Sequence, residues 1–430
     1  MLAILLLIGF FAFLCIGVPI GVSIGLSIIG VLLINPFTSY SYLGQTMVTS
    51  LMNFPLLAVP FFMLTGSIME TGGLSRRLVA VANTIVGGGT GGLAKVTVIT
   101  CLFFGAISGS APATVAAIGG IMIPMMVKER YSIDYAAGVS AVSGGLGVII
   151  PPSIPFVLYG VSTGTSIGEL FVGGVIPGCI IGGLLMIVSH ITSKKRGYFG
   201  TGEKFSFKKF FNALWDAKWA MLVPVIILGG IYGGAFTPTE AAVVSVVYGL
   251  FVGIFVYKEL KWKDLSKVFV DNGILVGAVI ITAATATALG TAFSFMQVPT
   301  QIANAIAMVS TNKYVVMSIV AVFLLFVGMI MDVAAAILIL APILVQVLIP
   351  LGWNPIHFGI IMTIDLAIGF VTPPVAMNLF VASGISGVPV NRIAVNALPF
   401  IITFIFGLIV IIMFPQLTLW LPEFLKTFSG

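Results

Sequence analysis

The chain has 430 residues, of which 59% are hydrophobic and only 7% charged, with 33 Phe and 50 Gly. Soluble domains carry about 25% charged residues, so a soluble enzyme or binding module is excluded. The formal net charge of +6 is gathered in loops, which points to membrane topology and contact with lipid; nucleic-acid binding would need a dedicated basic domain.

Apolar runs of about 20 residues recur from end to end, the pattern of a polytopic all-α membrane protein rather than the short alternating segments of a β-barrel. The N-terminal run has no basic n-region and no cleavage site, and reads as a retained membrane segment. Residues 2–34 are expected to form one helix kinked at Gly17, Pro19 and Gly21. Residues 46–69 span again. Glu70 to Leu78 reads as a loop with Arg76 and Arg77, followed by an amphipathic piece and the glycine run at 87–92. Residues 93–127 contain FGAISGSAPATVAA, a polar patch inside an apolar zone. In hydrocarbon an unpaired polar group costs several kcal/mol, so such a patch must line a protein-walled cavity. A second apolar run is then broken at Pro151-Pro152, and a further span covers about 171–191.

The stretch 192–218 holds seven basic residues (Lys194, Lys195, Arg196, Lys204, Lys208, Lys209 and Lys218) and is assigned to the cytoplasm by the positive-inside rule. Residues 219–257 suit two crossings, separated at AFTPTEAA, where Glu240 reads as a helix-start acid. The following YKELKWKDLSKVF reads as a surface amphipathic helix anchored by Trp262.

The second half resembles the first. VGMIMDVAAAILILAP carries one acid, Asp332, and a second proline pair, Pro373-Pro374, breaks a later span. Positions 110 and 151 are 41 apart, and so are positions 332 and 373. The basic residues flank the two units oppositely, as in the inverted repeats of secondary transporters. A proline pair frees backbone carbonyls, here around Gly147, Val148 and Ile150. With the hydroxyls of Ser108 and Ser110 these are hard oxygen donors suited to Na⁺; the bland alternative is a simple kink. Asp332, a carboxylate near mid-membrane, marks an ion pathway or else a structural pair with a buried donor. Asp365 is expected near the start of its segment, in an interfacial or scaffold role; His190 and His357 read as interfacial. Cys15, Cys101 and Cys179 lack metal or redox spacing and read as small buried residues. No Walker A, HExxH or GxSxG motif occurs, so no enzyme is expected; an intramembrane protease using Ser108 would need a histidine that neither apolar core run supplies.

FGAISGSAPATVAAIGGIMIPMM, GVIIPPSIPFVLYG, LFVGGVIPG, GGIYGGAFTPTEAA and TPPVAMNLFVASG together resemble the large membrane subunit of TRAP (tripartite ATP-independent periplasmic) transporters, from about residue 4 to 415. The resemblance implies an elevator-type secondary transporter of the bacterial inner membrane, built from inverted repeats with two re-entrant hairpins and two broken helices. About 90–191 and about 314–390 would be the halves of a transport domain, with 192–271 supplying the basic loop, scaffold helices and amphipathic arm. Hairpin 1 would span about 90–127 with its tip at Ser108–Pro112, and hairpin 2 about 314–350 with its tip near Gly328–Asp332. One Na⁺ would sit between Ser108, Ser110 and the carbonyls of Gly147, Ile150 and Pro152. A second would sit between Gly328 and carbonyls around Gly369, Thr372 and Val375, with Asp332 completing or neighbouring a cation site. The substrate, an organic acid such as sialic acid or a C4-dicarboxylate, would lie within reach of Ser110, Thr114, Ser153 and Asn378. The implied partners are a soluble periplasmic substrate-binding protein and a small four-helix membrane subunit on a separate polypeptide. A stand-alone carboxylate symporter and a channel are the competing readings.

Overall fold

A computed structural model describes residues 2–202, 205–310 and 312–429; Lys204, counted above in the basic loop, lies outside them. Among the described residues there is no strand, and nine helices are long and apolar enough to cross a membrane.

The N-terminal run is two helices rather than one kinked helix. The segments α1 (Leu2–Cys15) and α2 (Ile20–Ile34) fold back on each other, and a methyl on Gly9 would lie 3.4 Å from the Ser27 hydroxyl. Gly17 adopts a left-handed φ of 84°, which a side chain resists, and Pro19 lies just ahead of α2. Together they reverse the chain where a proline alone would bend it. Ser39 caps α3 (Tyr40–Leu51), and a 3₁₀ turn at Phe54–Leu57 separates it from α4 (Ala58–Thr71). The expected loop with Arg76 and Arg77 is instead the first turn of α5 (Leu74–Val86).

Hairpin 1 comprises α6 (Gly92–Ser108), the short α7 (Ala111–Thr114), a π turn (Val115–Gly119) and α8 (Gly120–Lys128). The first broken helix follows as α9 (Ile133–Gly144), a 3₁₀ turn (Gly145–Val148), the proline pair, and α10 (Ile154–Thr163). The 30-residue α11 (Ile167–Arg196) then runs about 45 Å, enough to cross the bilayer fully.

The two crossings after the basic loop are α12 (Phe207–Tyr232) and α13 (Pro238–Phe251). A capping box formed by Thr237 and Glu240 starts α13, as expected for Glu240. The segment expected as a surface amphipathic helix is instead the first turns of the 34-residue α14 (Trp262–Phe295), although Trp262 is exposed there. After α15 (Val298–Val309), hairpin 2 is α16 (Lys313–Ile330) and α17 (Val333–Leu348). The second broken helix is α18 (Pro355–Gly369) and α19 (Met377–Ser386), and α20 (Val390–Met413) and α21 (Gln416–Ser429) close the chain.

The hairpins enter from opposite faces. At the foot of hairpin 1, Gly91 N–H donates to the Tyr198 carbonyl at 3.1 Å and the Tyr131 hydroxyl to Phe199 O at 3.1 Å. These contacts place the foot beside the 197–202 segment that follows the basic last turn of α11. The same face gathers Arg77 with Asp216 and Glu259, and Arg392 with Asp134. It is the basic face of the molecule, with Lys194, Lys195 and Arg196 at the end of α11. The foot of hairpin 2, where Trp353 Nε1 donates to Lys313 O, lies at the other end of α11, marked by the Tyr159 hydroxyl on Pro355 O.

Candidate functional site at the hairpin tips

Hairpin 1 turns at a helix end closed by Gly109, whose φ of 60° allows its N–H to reach back to Gly105 O. Ser110, in extended conformation, starts the next helical turn. This tip meets the first proline break at backbone distance. A methyl on Gly105 would lie 2.7 Å from the Gly147 Cα, and one on Gly147 would lie 2.9 Å from Ser110 O. Across the break, Ile154 N–H donates to Gly109 O at 3.3 Å. The buried Ser108 hydroxyl lies 3.1 Å from Thr114 Oγ1, which donates to Ser110 O at 2.7 Å. Ser108, Ser110, Thr114, Gly147 and Pro152 are thus brought together, Pro152 O lying 2.8 Å from where a Gly109 methyl would be. The Ile150 side chain points away onto Gly178 of α11. Ser153 is buried and caps α10: its hydroxyl donates to Val148 O at 2.5 Å and accepts from Phe156 N–H.

Hairpin 2 repeats the approach with different chemistry. A methyl on Gly369 would collide with the Gly328 main chain, so these two backbones are in direct contact. Val375 N–H donates to Met329 O at 3.0 Å, binding tip to break as Ile154 and Gly109 do in the first half. Asp332 caps α17, its Oδ2 accepting from Ala334 N–H at 2.9 Å. The Thr372 hydroxyl donates to Ile368 O. Both Pro151-Pro152 and Pro373-Pro374 are cis, and Ala376, just past the second pair, holds a left-handed φ of 43°. Such a non-glycine outlier costs about 1–3 kcal/mol and persists only where its surroundings fix it.

Asn378 joins the two breaks. Its N–H donates to Phe370 O, its Nδ2 donates to Ala141 O of α9 at 3.1 Å, and its buried Oδ1 has no protein partner.

Three other expectations change. Asp365 is not interfacial: it is 1% exposed, eleven residues into α18, and both carboxylate oxygens lack a hydrogen-bond partner. The sequence misled because the helix begins earlier, at Pro355, with Asn354 as its cap. His357 is buried too, its Nδ1 2.7 Å from Thr418 Oγ1, whereas His190 is exposed as expected. Of the cysteines only Cys101 is buried; Cys15 and Cys179 face outward, where a membrane helix is as apolar as its core.

Residues 7–417 match the family described as tripartite ATP-independent periplasmic transporter, DctM component. The chain belongs to this family. This DctM-type permease is 46% identical over 396 residues to the isethionate TRAP transporter permease DctMQ of Oleidesulfovibrio alaskensis, covering 92% of the chain but only 62% of that longer relative. It is 40% identical to the C4-dicarboxylate TRAP transporter large permease DctM of Pseudomonas aeruginosa, with 94% of each chain covered. It is 37% identical to the sialic acid TRAP transporter large permease SiaM of Vibrio cholerae, over 96% of the chain and 97% of the relative. In fold it is similar to the crystal structure of the Alcanivorax borkumensis YdaH transporter, at a TM-score of 0.61 and 15% identity over 90% of each chain. The DctM-type chain is therefore a multi-pass protein of the bacterial inner membrane, and its relatives are named transporter permeases, not enzymes.

Proposed function

We propose that the chain imports a small organic anion by Na⁺-coupled, elevator-type alternating access, as the large subunit of a three-part system. The observation that carries this reading is the duplicated contact of a hairpin tip with a proline break, Gly105 on Gly147 and Gly328 on Gly369. Each contact brings the tip backbone against a break that frees carbonyls, and such carbonyls would supply the hard oxygen donors a desolvated Na⁺ needs. One Na⁺ would use Ser108, Ser110 and the carbonyls of Gly147, Ile150 and Pro152; the other would use Gly328, Gly369, Thr372 and Val375, with Asp332 adding charge nearby. The anion would lie between the tips, within reach of Ser110, Thr114 and Asn378; Ser153, fully committed to the backbone as a cap, would shape that pocket rather than contact the cargo.

The names of the relatives support the substrate class. Isethionate, C4-dicarboxylates and sialic acid are all small anions, so the class is carboxylate or sulfonate. The family's description as tripartite and periplasmic, and the relatives' naming as large permeases, support further partners; in this reading they are a periplasmic binding protein and a small four-helix membrane subunit. In this reading the hairpins and broken helices form the moving body, while α2–α4 and α12–α14 form the scaffold.

The test is uptake of radiolabelled succinate, sialic acid and isethionate into proteoliposomes holding the permease and small subunit. Saturable uptake of at least one anion, requiring both an inward Na⁺ gradient and added binding protein, is the expected result. Unsaturable flux indifferent to Na⁺ would identify a channel instead, and Na⁺-driven uptake without binding protein a stand-alone symporter.

A further inference from the structure

The second arms of the two hairpins each face a cleft, and the clefts differ in charge. On the side opposite the basic face α17 lines a cleft of about 330 Å³ against α3, α10 and α14, whose described lining includes Asn53, Thr287 and Gln346 but no charged residue. On the basic face, hairpin 1 lines a cleft of about 530 Å³. One wall is Ala116, Ala117 and Gly120, small residues of the π turn and α8. The opposite wall, formed by the end of α4, the start of α5 and the turn before α14, carries Glu70, Arg76, Lys258, Glu259 and Lys261.

That charged wall is rigidly built. Arg77 donates to Glu259 at 2.7 Å, lies 3.6 Å from Asp216 and stacks 3.7 Å over the Tyr257 ring. The Glu259 carboxylate fills the space beside Gly73, where any side chain would collide with it, and Gly73 itself holds a φ of 76°. Glu259 is thus neutralised by Arg77. Arg76, Lys258 and Lys261 form no ion pair within 4.0 Å among the described residues, leaving Glu70 as the one lining acid to oppose them. The cleft therefore carries a positive surplus a few residues from Thr114 and Ser110. Cations in a low-dielectric cleft focus field and raise the local anion concentration.

We propose that this cleft is the cytoplasmic release station of the transporter, where Arg76 and Lys258 receive the carboxylate or sulfonate as it leaves hairpin 1. The assignment rests on the import reading above. The same two cations could serve an anionic lipid headgroup, so the experiment separates the two sources. The permease with its partners is reconstituted in phosphatidylcholine vesicles and in vesicles containing phosphatidylglycerol. Uptake is followed for whichever of succinate, sialic acid and isethionate the unmodified protein imports fastest. In both lipids the Arg76→Gln/Lys258→Gln variant should import about tenfold more slowly at low salt, with unchanged half-saturation for Na⁺, and Arg76→Lys should retain the full rate. Wild-type rates in the double variant, or a loss confined to the anionic vesicles, would overturn the release station while leaving import intact. No uptake of any of the three anions by the unmodified protein overturns the import reading and this one with it.

Discussion

Hairpin 1 surrounds its tip with hydroxyls, whereas hairpin 2 places a carboxylate beside its own. Ser108 and Thr114 form a hydroxyl pair on Ser110 O in the first half, while the second has two bare glycines in contact and Asp332 one turn away. What the halves share is backbone geometry: a glycine of the incoming arm pressed on a glycine of the broken helix, and a tip carbonyl bonded to an N–H beyond the proline pair. The side chains around that geometry are free to differ. The common element is therefore main chain held at close range, and the side chains give each copy a different charge.

The largest effect should come from separating the backbones. In Gly147→Ala and Gly369→Ala a methyl collides with Thr114 Oγ1 and with the Gly328 main chain respectively. Forcing such contacts costs about 1–3 kcal/mol or more, so Na⁺-driven uptake should fall roughly 10- to 100-fold in both halves. Because the Gly147 methyl meets one side chain and a single main-chain oxygen, Ser110 O, whereas the Gly369 methyl meets main chain alone, the second variant should be the more damaged. Equal and near-normal uptake would show that the shared geometry is not what the halves use.

Changing the side chains should separate them. Asparagine caps a helix about as well as aspartate, so Asp332→Asn should keep its thermal stability yet require about tenfold more Na⁺ for half-maximal uptake, the equivalent of 1.4 kcal/mol. Asp332→Ala should lose the cap as well, and melt earlier. If Asp332→Asn keeps the wild-type Na⁺ requirement while Asp332→Ala melts earlier, the residue is a cap and nothing more. Ser108→Ala should weaken Na⁺ dependence less than Asp332→Asn, because it removes a neutral oxygen. Smaller still is Thr114→Val, which leaves the proposed ion ligands in place and removes the neutral hydroxyl that bonds Ser110 O and pairs with Ser108, each such bond worth about 1 kcal/mol; a fewfold rise in the Na⁺ requirement is expected, with Thr372→Val as the matched change in the second half.

The proline pairs, the Ser108–Thr114 patch and the cap formed by Glu240 were legible because each is a local rule: proline removes a donor, hydroxyls are costly in hydrocarbon, and Thr-x-x-Glu starts a helix. The equal spacing revealed an internal repeat, and the resemblance to the TRAP family supplied the hairpins. What escaped was set by contacts between distant segments. Gly17 and Pro19 read as a kink because nothing local reveals that α1 packs back on α2. The apolar side of α14 continues the surface-like start at Trp262 without a break, so only the packing against α2 and α3 shows one helix. Asp365 looked peripheral because its segment was started too late, and the structure gives its buried oxygens no partner.

The amide of Asn378 has one further consequence. By holding Ala141 O of the first broken helix from the start of the second, it acts as a strut between the two broken helices. In the Na⁺-coupled reading, a shift of one break on taking up an ion would be felt at the other, and thermodynamic reciprocity requires the effect to be equal in both directions. The two Na⁺ ions should bind cooperatively, and Asn378→Ala should lower the Hill coefficient for Na⁺ towards one even where maximal uptake survives. An unchanged Hill coefficient in that variant would leave the halves as independent compartments that happen to share a wall.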